Sequence, residues 1–206
     1  MTRLLVVTAV DAECAAIRAA SPEVAVIVGG VGPAAAAAAT SAALARSDHD
    51  LVLSAGIGGG FAPVGLGAIA VASRIVFADL GVQTVDGFVP ASAAGFGIDS
   101  YDVEPQLAIE LADRTGGHLG SVLTVATVTG TADTAARLAE RFPDAVAEGM
   151  EGAGVAAAAA LHGVRCAELR AISNPVGPRD RAAWRIPEAL GALGAAVAAG
   201  AAGLVP

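Results

Sequence analysis

Short runs rich in β-branched residues alternate along this chain with alanine-rich stretches of helical length, the pattern of an α/β sandwich. The apolar runs predict strands over 4–9, 24–28, 51–54, 68–77, 119–126 and 166–172. The stretches between them predict helices over 11–20, 33–46, 104–114, 131–141, 151–162 and 187–204, with Pro33 and Pro187 in first turns, where a missing N–H costs nothing. The alanine runs 34–39 and 156–160 read as helices packed closely on a sheet rather than as low-complexity sequence. From Gly81 to Ser100 glycines and two phenylalanines occur without a period, which predicts a long functional loop or a hairpin. No repeat or linker interrupts the pattern, so residues 1–206 are expected to form one domain.

Composition narrows the chemistry. Alanine inflates the 55% hydrophobic content, and aromatics make up only 3%, so an aromatic near a polar loop marks a specific task. A net charge of −8 argues against nucleic acid as a partner, because phosphate neutralisation needs a basic face. All 12 basic residues are arginine; without lysine, Schiff-base chemistry and a Walker-type phosphate loop are excluded. Cys14 and Cys166 lie far apart without metal-ligand spacing and read as small apolar thiols. Asp11 and Glu13 follow the first apolar run where a signal peptide would stay apolar, so that run is expected to be a strand. The apolar segment 189–205 is mostly alanine and glycine, which insert poorly into bilayers; a packed helix, no membrane partner and a cytoplasmic location are expected.

Two glycine-rich segments raise the question of a ligand. Gly30-Val31-Gly32-Pro33-Ala34-Ala35 matches a relaxed dinucleotide fingerprint after a strand. Pro33 removes a backbone donor, and Asp48 and Asp50 come before the next strand rather than at its end, so a nucleotide cofactor is disfavoured. Ser54-Ala55-Gly56-Ile57-Gly58-Gly59-Gly60 carries four glycines in five positions directly after an apolar strand. Either it is a tight turn needing positive φ, or the glycines let a ligand press against the main chain at the strand's carboxyl end, and their density favours the ligand.

Three separated segments, Thr8-Ala9-Val10-Asp11-Ala12-Glu13, Ala55-Gly56-Ile57-Gly58-Gly59 and Gly149-Met150-Glu151-Gly152-Ala153-Gly154-Val155-Ala156, resemble the nucleoside phosphorylase superfamily in the order of its methylthioadenosine/adenosylhomocysteine nucleosidase branch. A fourth, Arg170-Ala171-Ile172-Ser173-Asn174-Pro175-Val176-Gly177-Pro178-Arg179-Asp180-Arg181-Ala182-Ala183-Trp184-Arg185-Ile186, is similar to the futalosine hydrolases in particular. The resemblance implies a three-layer α/β/α sandwich around a mixed, partly closed β-sheet and a homo-oligomer. It implies a small-molecule nucleoside substrate, no metal and no organic cofactor. The implied reaction is hydrolysis of the N-glycosidic bond of futalosine to hypoxanthine and dehypoxanthine futalosine, in menaquinone biosynthesis.

Breaking a ribose–purine bond passes through a cationic sugar and an electron-rich leaving base, so the site must stabilise the first, neutralise the second and direct a nucleophile at C1′. By resemblance, Glu151 accepts hydrogen bonds from the ribose hydroxyls, with Met150 as an apolar contact beside it; otherwise Glu151 is a helix-start acid and Met150 a plain core methionine. Glu13 falls where nucleosidases place the base that activates water; otherwise it is a solvated first-turn acid after an Asp11 N-cap. Asn174 stands where methylthioadenosine nucleosidases carry aspartate. An amide donates without borrowing a proton and can accept through its carbonyl, which suits a 6-oxopurine and argues against adenine; otherwise it is a turn residue before Pro175. Gly56, Ile57 and Gly58 are expected against the substrate, with Val128 and Thr129 bringing backbone to the purine edge. Phe88 and Phe96 are expected to stack or to plug an apolar gap. Among Arg179, Arg181 and Arg185, at least one is expected to hold the carboxylate of the futalosine tail, unless all three are spent on surface ion pairs with Asp180 and Glu188. A phosphorylase would need cationic or hydroxyl groups for phosphate where Gly32 and Pro33 offer none. A methylthioadenosine nucleosidase and a non-catalytic nucleoside sensor remain further alternatives.

Overall fold

The computed structural model describes residues 3–202. Among the described residues there are ten strands: β1 Leu4–Thr8, β2 Ala25–Val28, β3 Leu51–Gly60, β4 Ile69–Phe77, β5 Gly81–Thr84, β6 Gly87–Pro90, β7 Ser100–Asp102, β8 His118–Thr124, β9 Ala145–Gly149 and β10 Arg165–Pro175. The helices are α1 Asp11–Ala20, α2 Pro33–Leu44, α3 Pro105–Thr115, α4 Ala132–Arg141, α5 Gly152–Leu161 and α6 Ile186–Ala201. The expected extension of the last helix to Leu204 lies outside the described residues.

The eight-stranded main sheet curls on itself. Strand β3 pairs in parallel with β1 and β10 and antiparallel with β9, while β10 also pairs with β4, β4 with β8 and β8 with β9. The path β3-β10-β4-β8-β9-β3 therefore closes, with β1 and β2 continuing outward from β3. This is the expected mixed, partly closed sheet with helices around it. Strands β1, β3 and β10 are buried on both faces, as parallel strands covered by helices must be. The two polyalanine helices α2 and α5 pack against each other so closely that a side-chain carbon at Gly154 would lie 2.0 Å from the Pro33 carbonyl oxygen. Small residues are the condition for that approach.

The residues 81–100 form the β5–β6 hairpin, a turn and the start of β7. Three features depart from expectation. Strands β7 and β9 were not predicted, the first being three residues long and the second carrying Glu148 and ending on Gly149. Strand β10 runs on to Pro175 through a bulge between Ile172 and Asn174. Most tellingly, β3 does not end at Ser54 but continues to Gly60, and none of Gly56, Gly58, Gly59 and Gly60 has positive φ. The tight-turn reading of that segment is thus overturned: these glycines are strand residues kept bare by what lies against them. Among the described residues, no helix is long and apolar enough to cross a membrane.

Candidate active site

The carboxyl end of β1 turns directly into α1, and this places Glu13. Val10, not Asp11, is the extended N-cap residue, and Glu13 folds back to accept hydrogen bonds from the N–H groups of Ala9 (2.9 Å) and Val10 (3.2 Å). Its other oxygen accepts from Ile57 N–H at 2.9 Å. At 3% exposure Glu13 is no solvated surface acid. Its position also accounts for Gly56, where a Cβ would lie 2.7 Å from a Glu13 oxygen and 2.5 Å from an Arg170 nitrogen.

Glu151 occupies the N-cap position of α5 but does not cap that helix. Its carboxylate instead accepts from Gly32 N–H (3.2 Å), from Met150 N–H (3.3 Å) and from the Arg170 guanidinium (3.1 Å). Arg170 is 1% exposed and is shared between Glu151, Glu168 at 2.8 Å and the Ser54 hydroxyl at 3.0 Å. Burial works to lower the Arg170 pKa, but the surrounding charges of Glu168, Glu151 and Glu13 outweigh it and hold the guanidinium well above its ordinary range. Sequence reasoning quoted Arg170 within a motif yet gave it no task. The signal was available: two charged residues, Glu168 and Arg170, interrupt the otherwise apolar run 166–172, and buried charges persist only when paired.

Asn174 follows the bulge at the end of β10. Its Oδ1 lies 2.8 Å from the Ser173 hydroxyl, and its Nδ2 donates to the Pro175 carbonyl at 2.9 Å. With Oδ1 occupied by a donor, Nδ2 keeps one further N–H to offer.

Glu13, Ile57, Gly58, Val128, Met150, Glu151 and Asn174 line one cavity of about 330 Å³, together with Glu148, Ser173 and Trp184. That volume is within the range of small-molecule sites. Three carboxylates and no arginine or histidine line it, so its field favours a cation and disfavours phosphate. Glu148 is the second residue that sequence reasoning missed. It is buried, and its carboxylate accepts from both the N–H and the hydroxyl of Thr129. Burial pushes its pKa upward against the pull of those two bonds.

The remaining predicted residues lie elsewhere. Gly56 forms the wall behind Glu13. Thr129 and Phe88 line a neighbouring cavity of about 700 Å³, which shares Val128 with the first. Phe88, on the hairpin, lies under the Arg141 guanidinium at 4.4 Å, and Phe96 is exposed. Arg179, Arg181 and Arg185 are exposed and line neither cavity. Arg179 stands over the Trp184 ring at 5.7 Å, Arg181 opens a short 3-10 turn, and Arg185 donates its main-chain N–H to the Ser173 carbonyl at 2.8 Å. Among the described residues, none of the three pairs with Asp180 or Glu188.

The family model described as the phosphorylase superfamily matches residues 7–204. The chain belongs to that superfamily. It is 56% identical over 177 residues to a futalosine hydrolase of Streptomyces coelicolor, covering 83% of this chain and 75% of the relative. A futalosine hydrolase of Acidothermus cellulolyticus is 46% identical over 179 residues, covering 84% and 73%. Among solved structures, a 5′-methylthioadenosine/S-adenosylhomocysteine nucleosidase of Colwellia psychrerythraea in complex with adenine superimposes with a TM-score of 0.85 at 20% identity, covering 98% of this chain and 96% of the other. Within the superfamily, the chain thus falls in the futalosine hydrolase family, on a fold shared with the nucleosidases.

Proposed function

We propose that this protein hydrolyses futalosine to hypoxanthine and dehypoxanthine futalosine, serving the menaquinone route. The observation that carries the reading is the meeting of Glu13, Glu151 and Asn174 in one acidic cavity, in a chain whose relatives are futalosine hydrolases. Water attacks C1′ of the ribose while the bond from C1′ to the purine nitrogen breaks, its electron pair passing to the base. Glu13 takes the proton of the attacking water; three main-chain N–H groups fix the plane of its carboxylate before substrate arrives. Glu151, anchored by Arg170, accepts from the ribose hydroxyls, and its charge favours the cationic sugar. Asn174 offers its free N–H to N7 of the departing purine, and the purine anion takes up from solvent the proton that Glu13 gives back, leaving as hypoxanthine. Met150, Ile57, Gly58 and Val128 supply the contact surface, with Thr129 braced behind Glu148 at the purine end.

The cavity wall favours water over phosphate. A phosphorylase must hold a dianion beside C1′, yet Glu13 and Glu151 face that space, and Arg170 is already committed to carboxylates. A panel of futalosine, aminofutalosine, inosine and methylthioadenosine, each with and without phosphate, tests the proposal. Hypoxanthine released from futalosine in phosphate-free buffer supports it, strict phosphate dependence makes the protein a phosphorylase, and inactivity on every nucleoside makes it a sensor. A homo-oligomer is proposed as well, supported by the exposed apolar side chains Val85, Phe96 and Ile98 on and after the hairpin.

A further inference from the structure

Strand β3 runs between β9 and β10, and Gly59 is the partner of Glu148 on one side and of Asn174 on the other. The two polar residues therefore stand level with each other across a bare strand. Two inter-strand spacings separate their main chains, roughly 10 Å in all. Both residues line the cavity. The strand beneath carries no side chain on that face: at Gly59 a Cβ would lie 2.9 Å from Val176 and 3.3 Å from Asn174 Nδ2, while Gly58, directed to the opposite face, is bare because a Cβ there would lie 2.6 Å from the Glu148 carbonyl oxygen. The result is a flat glycine floor with a polar group at each rim, a shape matched to a planar heterocycle lying on it.

The two rims differ in what they can offer. Asn174 keeps an amide N–H free. Glu148 carries a carboxylate whose two oxygens each already accept one hydrogen bond from Thr129, leaving the second lone pair of each. Those bonds hold the carboxylate in place and do not supply it with a donor from the cavity side. A 6-oxopurine protonated at N1 supplies such a donor. Adenine presents a bare lone pair at the same ring nitrogen.

We propose that Glu148 is the residue that selects the base, accepting the N1–H of a 6-oxopurine and rejecting a 6-aminopurine by setting acceptor against acceptor. The inference rests on the nucleosidase reading of the cavity but assigns a task to a residue that reading does not need. A site built to pair a ligand N–H discriminates strongly against an analogue lacking it, because the buried acceptor is then left without a partner.

Calorimetric binding of the free bases tests it without turnover. The wild-type protein should bind hypoxanthine at least about tenfold more tightly than adenine. In Glu148→Gln, whose amide can turn an N–H toward the adenine ring nitrogen, that ratio should collapse or invert while the melting temperature stays near wild type. The kcat/KM ratio of futalosine to aminofutalosine should move the same way. An unchanged base ratio in E148Q overturns the proposal, and equal losses on both substrates reduce Glu148 to a brace for Thr129. Should E148Q fail to fold, 1-methylhypoxanthine on the wild-type protein decides: affinity equal to that of hypoxanthine overturns the assignment. Failure of the hydrolase reading looks different, since the wild type would then leave futalosine intact whatever its preference between bases.

Discussion

Within the cavity, Glu13 and Glu151 are 3% and 6% exposed, and the oxygens of both accept from main-chain N–H groups or the Arg170 guanidinium. At the outer rim, Arg179, Arg181 and Arg185 stand exposed on a proline- and glycine-containing segment, their guanidinium groups making no ion pair among the described residues. The contrast follows from what each region must do. Charge that develops in a transition state is stabilised best by groups fixed beforehand, since reorganising them would cost what they contribute. A substrate's remote carboxylate is present in ground and transition state alike, so a mobile cation can meet it and contributes mainly to binding. On the proposed reading, strand ends carry the first task and an irregular loop carries the second.

The comparison is broken most directly by removing the cation that organises the rigid half. Arg170→Met should destabilise the protein by about 3–5 kcal/mol in urea unfolding, because Glu168 and Glu151 are left buried and uncompensated. A loss below about 1 kcal/mol would mean that the network does not hold the acids in place. Next in size, Glu13→Gln should lower kcat on futalosine by about 10²- to 10⁴-fold with little change in KM, as the proposed action of its carboxylate on water rather than on the nucleoside requires. Intact turnover in that variant would remove Glu13 from the mechanism. Glu151, proposed to bond the ribose in both ground and transition state, should on replacement by Gln lower kcat and raise KM together.

Why some of this was legible beforehand and some was not has physical reasons. Periodicity located β1, β4, α1 and α3 to within a residue, and proline placement located the starts of α2 and α6 equally well, because apolar runs, amphipathic faces and first-turn prolines are read locally. The segment 55–60 was misjudged because glycine carries no β-propensity; its strand character comes from β10 and β9 on either side, which is tertiary information. The acids Glu13 and Glu151 and the amide Asn174 were found through motif resemblance, and the structure brings them to one cavity. Glu148 and Arg170 were not, although a charged residue inside a strand pattern is a visible anomaly. Seeing Glu148 as a cavity group required knowing that Gly59 places it opposite Asn174. The exposed arginines show the converse case: a cluster in sequence need not converge in space.

That cluster yields the smallest expected effect and the sharpest test of the division between the two regions. Each of Arg179→Ala, Arg181→Ala and Arg185→Ala should raise KM for futalosine by about two- to tenfold, the scale of one exposed charge-assisted hydrogen bond, and leave kcat and the KM for tail-less inosine unchanged. The three are not equivalent. Arg179 lies over the ring of Trp184, and Trp184 lines the cavity, so a carboxylate emerging past that ring meets Arg179 first. Arg185 is tied to Ser173 through its main chain, which an alanine keeps, and Arg181 sits on the exposed turn between them. The Arg179 variant should therefore show the largest rise. Steady-state kinetics on the two substrates side by side decide the matter: KM increases of equal size for futalosine and inosine would mean that the arginines support the loop rather than grip the tail, and a fall in kcat would place the rim inside the rigid half after all.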